Sequence, residues 1–224
     1  TTDPNIVPKA KKIKKISYEE MLEMSSLGAK VMQPISIQDA MLNDIRINVK
    51  STFSKKSGTE ITNENEIVKK KVITGITYTK NEAKITLVGV TDKPGVAASI
   101  FKPLAQNNIN VDMVVQNISD DGKKTDITFT IKKEDLSYAL RLIKRNKKIF
   151  YKKIIQDDKV SKVSIVGVGM IAAPGVTYRM FQALASKKIN IMVISTSEIK
   201  ISVLIDQRNI KKAIKVLHKE FNLG

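Results

Sequence analysis

AKITLVGVTDKPGVAASIFKPLAQNNINVDMVVQN, from Ala83 to Asn117, decides the fold, because the chain writes it nearly twice. Gly95, Phe101, Leu104, Ala105, Ile109 and Asn110 return eighty positions later as Gly175, Phe181, Leu184, Ala185, Ile189 and Asn190. The second copy, KVSIVGVGMIAAPGVTYRMFQALASKKINIMVISTSE from Lys162 to Glu198, is two residues longer before its Pro-Gly pair. A repeat of this length signals a duplicated domain.

Both copies share one physical grammar. A β-branched strand (85–90; 163–168) runs into the Pro-Gly turn. A helix follows, with apolar residues at Val96, Ile100, Phe101, Leu104 and Ala105 in helical spacing. The turn therefore opens a helix, where unpaired N–H groups and the positive dipole end favour a carboxylate or phosphate. A second strand (109–116; 189–195), a third (126–131; 200–205) and a second helix (134–145; 207–221) follow. That order predicts an α+β chain of tandem ferredoxin-like βαββαβ units, with a last strand wherever one is found.

Composition narrows the function classes. The 224 residues are 42% hydrophobic, enough to bury a core, and contain no cysteine, which excludes a disulfide framework, a thiolate metal site and a thiol nucleophile. No apolar run is long enough to span a bilayer, and no signal peptide precedes Thr1, so a cytoplasmic protein without membrane partners is expected. The first residue is not Met, which fits a piece of a longer protein. The net charge of +17 raises nucleic acid, but of 39 basic residues only five are Arg, and aromatic residues are few. A solvated lysine-rich surface is the expectation, including the run from Lys9 to Lys15.

Upstream of the repeat, Ser17 with Glu20 three residues on makes a capping box for a helix over 18–27, whose Met21, Leu22, Met24 and Leu27 face a core. A short helix (36–42) and strands at 45–49 and 60–62 follow. The stretches 72–78 and 84–90 read as two strands joined by a turn near Asn81.

Catalytic patterns are sparse. Neither GVTDKPG nor GVGM has the lysine and hydroxyl of a phosphate-binding loop. The single His218, late in the last helix, has no triad partners nearby and reads as an exposed residue near the C-terminal dipole. Asp120-Asp121 and Asp157-Asp158 read as solvated turns.

The repeat does suit a free amino acid. The turn at Gly95 can hold a carboxylate on backbone N–H groups, and Asp92 stands where it could take the ammonium, although it reads equally as a helix-side cap. Asn110 and Gln116 offer directional amides. The second copy has Ile171, Ala172 and Ala173 in that turn and no carboxylate, so it is expected to share a site with a first copy.

GVTDKPGVAA, NINVDMVVQN, KVSIVGVGM, PGVT and STSEIKISVLI resemble the paired ACT domains at the C-terminus of bacterial aspartokinase. TTDPNIVP and ISYEEMLEMSSLGAKVMQP resemble the end of that family's catalytic domain, so the likeness runs through the whole chain. The resemblance implies three parts: 1–65 from the amino-acid-kinase domain, 66–156 as a first ACT domain and 157–224 as a second. It implies nucleotide contacts at Thr2, Asp3, Lys30 and Val31. It also implies effector contacts at Asp92, Gly95, Ala97, Asn110, Asp112 and Gln116, and at Val176, Thr177, Asn190, Ile191, Ser197 and Glu198. ATP and Mg²⁺ would serve the complete enzyme, with no catalytic residue and no metal ligand in this chain. Lysine, and threonine as a second candidate, would be effectors; Asp112 or Glu198 could meet a second ammonium. The family carries an Arg where Ile35 stands. The chain would bind the catalytic portion and self-associate through its ACT domains. The competing expectation is a separately made ACT regulatory subunit without catalysis.

Overall fold

A computed structural model describes residues 1–67, 71–118 and 123–224. They form two compact units, Thr1–Thr79 with Lys162–Gly224, and Lys80–Ser161. Chain order begins with β1 (Lys15–Ser17), α1 (Tyr18–Ser26), α2 (Pro34–Leu42), β2 (Ile47–Val49), β3 (Thr59–Thr62) and β4 (Gly75–Thr91). It continues with α3 (Val96–Ala105), β5 (Val111–Ile118), β6 (Lys124–Ile131), α4 (Leu136–Arg145) and β7 (Lys153–Val166). The last elements are α5 (Val176–Ala185), β8 (Val193–Thr196), β9 (Lys200–Asp206) and α6 (Ile210–Glu220).

Two strands serve both repeats. In the unit 80–161 the strand order is β5-β6-β4-β7, and in the other repeat it is β8-β9-β7-β4. Numbered within each repeat, both orders are 2-3-1-4, the ferredoxin-like arrangement. β7 thus ends the first repeat and begins the second. The missing last strand of the second repeat is supplied by the start of β4, from before the first repeat. The expected turn at Asn81 does not form: β4 is one strand of 17 residues. Lys80 and Asn81 are exposed where that strand leaves one unit for the other, and their polarity mimics a turn. For the same reason residues 73–79 pack with the second repeat in one compact unit.

The first repeat is built on periodicity. Val96, Ile100 and Leu104 of α3 are buried with Ile85, Leu87, Phe129, Ala139 and Ile143, while Ala105 is exposed. Each large apolar side chain so placed is worth about 1.5–3 kcal/mol. Pro103 inside α3 has no N–H for the carbonyl of Ser99, and the side-chain amide of Asn146 donates to that oxygen instead at 3.0 Å. Across the sheet Thr86 and Thr128 pair their hydroxyls at 2.9 Å, and Ser164 and Ser202 do the same in the second repeat at 2.7 Å. At the end of β4 the register shifts between Leu87 and Val90, and Gly89 (φ 66°) donates its N–H to Asp126 at 2.7 Å.

Residues 1–62 pack with the second repeat in a single unit. β1 pairs parallel with β3, and β2 antiparallel with β3. The capping box forms as expected, with Ser17 accepting from Glu20 N–H and Glu20 reaching back to Ser17 N–H. Met21, Met24 and Leu27 are buried. Lys15 is not loop surface but a strand residue, bridging Glu60 at 3.2 Å and Glu66 at 3.3 Å.

Three polar expectations change. His218 is 5% exposed, with Nε2 3.1 Å from the hydroxyl of Thr1. Asp157 and Asp158 lie in β7 rather than a turn; Asp158 meets Lys133 at 3.1 Å, which holds its carboxyl below the usual range. Asp120-Asp121 falls outside the described residues.

Candidate functional site

The two Pro-Gly turns have one geometry. Gly95 has φ 86° and ψ −2°, Gly175 φ 86° and ψ −1°, a left-handed conformation that glycine adopts without steric cost. A Cβ added at either would meet nothing within 4 Å among the described residues, so both turns are open on that side. Among the described residues no side chain caps α3 or α5. Val96 N–H closes the first turn onto Lys93 at 3.2 Å, and Ser99 N–H begins the helix ladder on Gly95 at 3.0 Å. The N–H groups of Ala97 and Ala98, and of Thr177 and Tyr178, thus point out of their helices without intrahelical partners. Val176 is buried and Thr177 exposed. Asp92 is half-buried beside the first turn, its backbone N–H on Lys123 at 2.9 Å, and its carboxylate has no partner among the described residues.

The remaining predicted residues divide between the two ends of each repeat. β4 and β5 are both antiparallel to β6, so they run the same way. Asp92 and Gly95 follow the end of β4, and Gln116 lies toward the corresponding end of β5. Asn110 and Asp112 sit at the start of β5, beyond the other end of α3, about 15 Å away for a ten-residue helix. In the second repeat, Ser197 N–H bonds Lys200 at 2.8 Å and closes the β8–β9 hairpin; Gly167 N–H bonds Ile199 at 2.9 Å. Ser197 and Glu198 are therefore at the turn end, and Asn190 and Ile191 at the far end. Asn110, Asp112, Gln116, Asn190, Ser197 and Glu198 are all exposed. No single repeat gathers the full set around its turn.

Of the expected nucleotide residues, Asp3 is fully engaged. Oδ1 accepts from Asn5 N–H at 2.9 Å, Oδ2 from the Tyr78 hydroxyl at 2.8 Å, and the carbonyl from Ile6 and Val7. Burial, and then the bond to Asp3, pushes the Tyr78 phenol up. Tyr78 also fixes the other turn: Gly28 (φ 109°) lies so close that an added Cβ would stand 2.4 Å from the Tyr78 carbonyl. Thr2 keeps a buried hydroxyl with no partner among the described residues. Lys30 and Val31 are exposed after that turn.

Sequence reasoning missed one buried cluster. Glu20, 3% exposed, accepts from Thr74 Oγ1 at 2.6 Å and from Val168 N–H at 3.0 Å on the same oxygen. It borders a cavity of about 310 Å³ whose wall carries Lys11, Lys12, Lys14, Lys15 and Lys71. Among the described residues no three carboxylates or histidines gather as a metal site, and no helix is long and apolar enough to cross a membrane.

Comparison with known proteins places these features. The ACT domain model matches residues 85–146 and 163–221, and the model of the amino acid kinase family matches 1–51. The regulatory subunit of aspartate kinase from Thermus thermophilus, solved ligand-free, is 38% identical; 67% of this chain covers 99% of that one at TM-score 0.64. This chain belongs to the aspartokinase family. Aspartokinase from Pseudomonas aeruginosa is 45% identical over 226 residues, across all of this chain and 55% of that protein. The solved Clostridium acetobutylicum aspartate kinase is 26% identical and matches 99% of this chain and 51% of its own at TM-score 0.86. The chain thus spans a little over half the length of the full-length aspartokinases it matches, as their C-terminal part with tandem ACT domains.

Proposed function

We propose that this chain is the regulatory region of an aspartate kinase, and that it binds lysine, with threonine as co-effector, to inhibit phosphorylation of the β-carboxylate of aspartate by ATP and Mg²⁺. The observation that carries this is the first turn: uncapped N–H groups facing open space beside the unpartnered, half-buried carboxylate of Asp92. Those two features match the carboxylate and ammonium of an amino acid. Asp112 and Glu198 are the acidic groups that would distinguish lysine through its second ammonium.

The second repeat has no carboxylate in its turn. It contributes Thr177, Ser197 and Asn190 to sites shared with a first repeat of another copy. Such sharing suits the split of each repeat into a turn end and an amide end. In the nucleotide site the exposed Lys30 would meet phosphate beside Val31, while Asp3 and Thr2 shape the adjoining loop. Among the described residues there is no other candidate for the ATP or Mg²⁺ chemistry, so the chain is expected to be inactive without the rest of the kinase domain.

A separate regulatory subunit is the second reading, favoured by the Thermus thermophilus subunit. That subunit corresponds to only 67% of this chain, and residues 1–51 match the kinase family instead. An open reading frame for a kinase core upstream of Thr1 would decide for one polypeptide.

Calorimetry of the 224-residue chain with lysine and threonine, singly and together, tests the regulatory reading. Binding at or below millimolar concentrations is expected; heats indistinguishable from dilution for both would end it. ATP- and aspartate-dependent acyl phosphate formation by this chain alone would overturn its assignment as a non-catalytic part.

A further inference from the structure

We infer that Glu20 is a positioning residue that carries the effector response from the turn of the second repeat to the loop after α1. The inference rests on the regulatory reading above.

Glu20 is the third residue of α1 and is buried without a cation in contact among the described residues. Among the described residues, dipoles hold its carboxylate: Thr74 hydroxyl at 2.6 Å, Val168 N–H at 3.0 Å and Ser17 N–H at 3.5 Å. Each belongs to a different structural part. Ser17 caps α1, Thr74 leads into β4, and Val168 opens the turn that runs to Gly175.

The Val168 end of this joint is tightly held. A Cβ on Gly167 would stand 2.3 Å from the Val72 carbonyl, and one on Gly169 2.3 Å from the Lys71 carbonyl. Thr74 N–H bonds Val166 at 2.8 Å. The segment 167–169 therefore cannot slide past 71–74; a ligand that shifts the turn moves both donors of Glu20 Oε1 together. The other end is α1, a rigid rod of nine residues, about 13 Å long. It ends at Ser26, two residues before Gly28, whose close approach to Tyr78 sets the loop carrying Lys30 and Val31. A shift at Val168 thus becomes a tilt of α1 and a displacement of Lys30.

The geometry calls for an acceptor at both oxygens. All three partners donate, and a carboxylate offers only acceptors. Glutamine keeps one carbonyl for Thr74 and Val168 but sets its NH₂ against Ser17 N–H. Alanine leaves Thr74 and Val168 unsatisfied.

The test uses the full-length protein that contains this chain. The effector is whichever of the twenty amino acids inhibits wild type most strongly. Kinase activity is measured against that effector for wild type, Glu20→Ala, Glu20→Gln and Thr74→Val, with direct binding by calorimetry. For Glu20→Ala we expect binding to persist while half-inhibition shifts upward at least about fivefold, or residual activity at saturation rises, since allosteric couplings are typically 5–150-fold. Glu20→Gln should fall between wild type and Ala. Thr74→Val, which removes one donor and is milder should Ala fail to fold, should shift the same way. Inhibition of the Ala and Val variants identical to wild type overturns the inference and leaves the regulatory reading standing. Loss of effector binding in the variants also overturns it, because Glu20 would then support the site rather than transmit from it. If no amino acid inhibits wild type, both fall.

Discussion

Gly95 and Gly175, eighty positions apart, hold the same left-handed conformation to within a degree, each at the head of a helix and each facing open space. Packing does not require glycine at either position, since an added Cβ would touch none of the described residues. The backbone does. Left-handed geometry costs an L-residue about 1–2 kcal/mol.

Gly95→Ala and Gly175→Ala should therefore each destabilise by about 1–2 kcal/mol, with Asn in either place costing less because its side chain tolerates this region. Urea unfolding of the single variants measures this. A cost near zero for both would mean the turns relax into another conformation.

Asp92→Ala should weaken lysine binding. A charge-assisted contact in a half-buried place contributes about 1.5–3 kcal/mol, roughly tenfold to a hundredfold in affinity. Ser197→Phe should act through bulk at the β8–β9 hairpin, close to the second turn. Because inhibition needs differential binding to two states, both variants should also desensitise the complete enzyme. Calorimetry showing wild-type affinity in both would remove these residues from the site.

His218 makes stability depend on pH. Thr1 Oγ1 donates to the Leu223 carbonyl at 2.9 Å and accepts from Lys11 N–H at 3.0 Å, so it receives the Nε2 proton of a neutral imidazole. Burial lowers this histidine from its ordinary 6.5. Between the folded and unfolded values the unfolded chain holds more protons, so stability rises with pH there. It is full above pH 6.5, begins to fall as pH drops through that value, and stops falling below the folded pKa. Urea midpoints at several values from about pH 7.5 down to about pH 5, the region in which a histidine changes charge, should show that decline. His218→Gln, which retains a donor for Thr1, should lessen it, and an unchanged slope in the variant would assign the effect to other groups.

What the sequence reveals and hides follows from the range of each interaction. The duplicated turn, the amphipathic helices and the Ser17–Glu20 box are local, and all form as expected. The exchange of strands between repeats was hidden, because Lys80-Asn81 has the polarity of a turn and only the pairing of 75–79 beside β7 shows that the strand continues. Glu20 showed its partner three residues away but not Thr74 or Val168, which lie 54 and 148 positions off. His218 likewise has its partner 217 positions away in Thr1. In the candidate effector site the glycine turn that opens each helix was legible. That Asn110 lies a helix length from it was not, since sequence distance within a repeat does not tell which end of the sheet a residue occupies.

That separation leads to the prediction of self-association. β5 and β8 are the outer strands in their respective strand orders, and they expose Val114, Ile118 and Ile194. Unpaired edges of this kind favour pairing with another strand. Antiparallel pairing of β5 from one copy with β8 of another would bring Asn190 and Ile191 of the second copy to the Asp92 turn of the first. It would also bring Asn110 and Asp112 to the turn of Thr177 and Ser197. Sedimentation should show a dimer or larger at tens of micromolar protein, strengthened by lysine. The sharing of residues has its own signature. Asp92→Ala and Asn190→Ala should each weaken binding when pure. Mixed in equal amounts and allowed to exchange, they should regain wild-type affinity in about one site in four, because half the dimers are mixed and each mixed dimer has one intact site. No recovery on mixing would place both residues of a site within one chain, and a monomer with and without lysine would exclude this arrangement altogether.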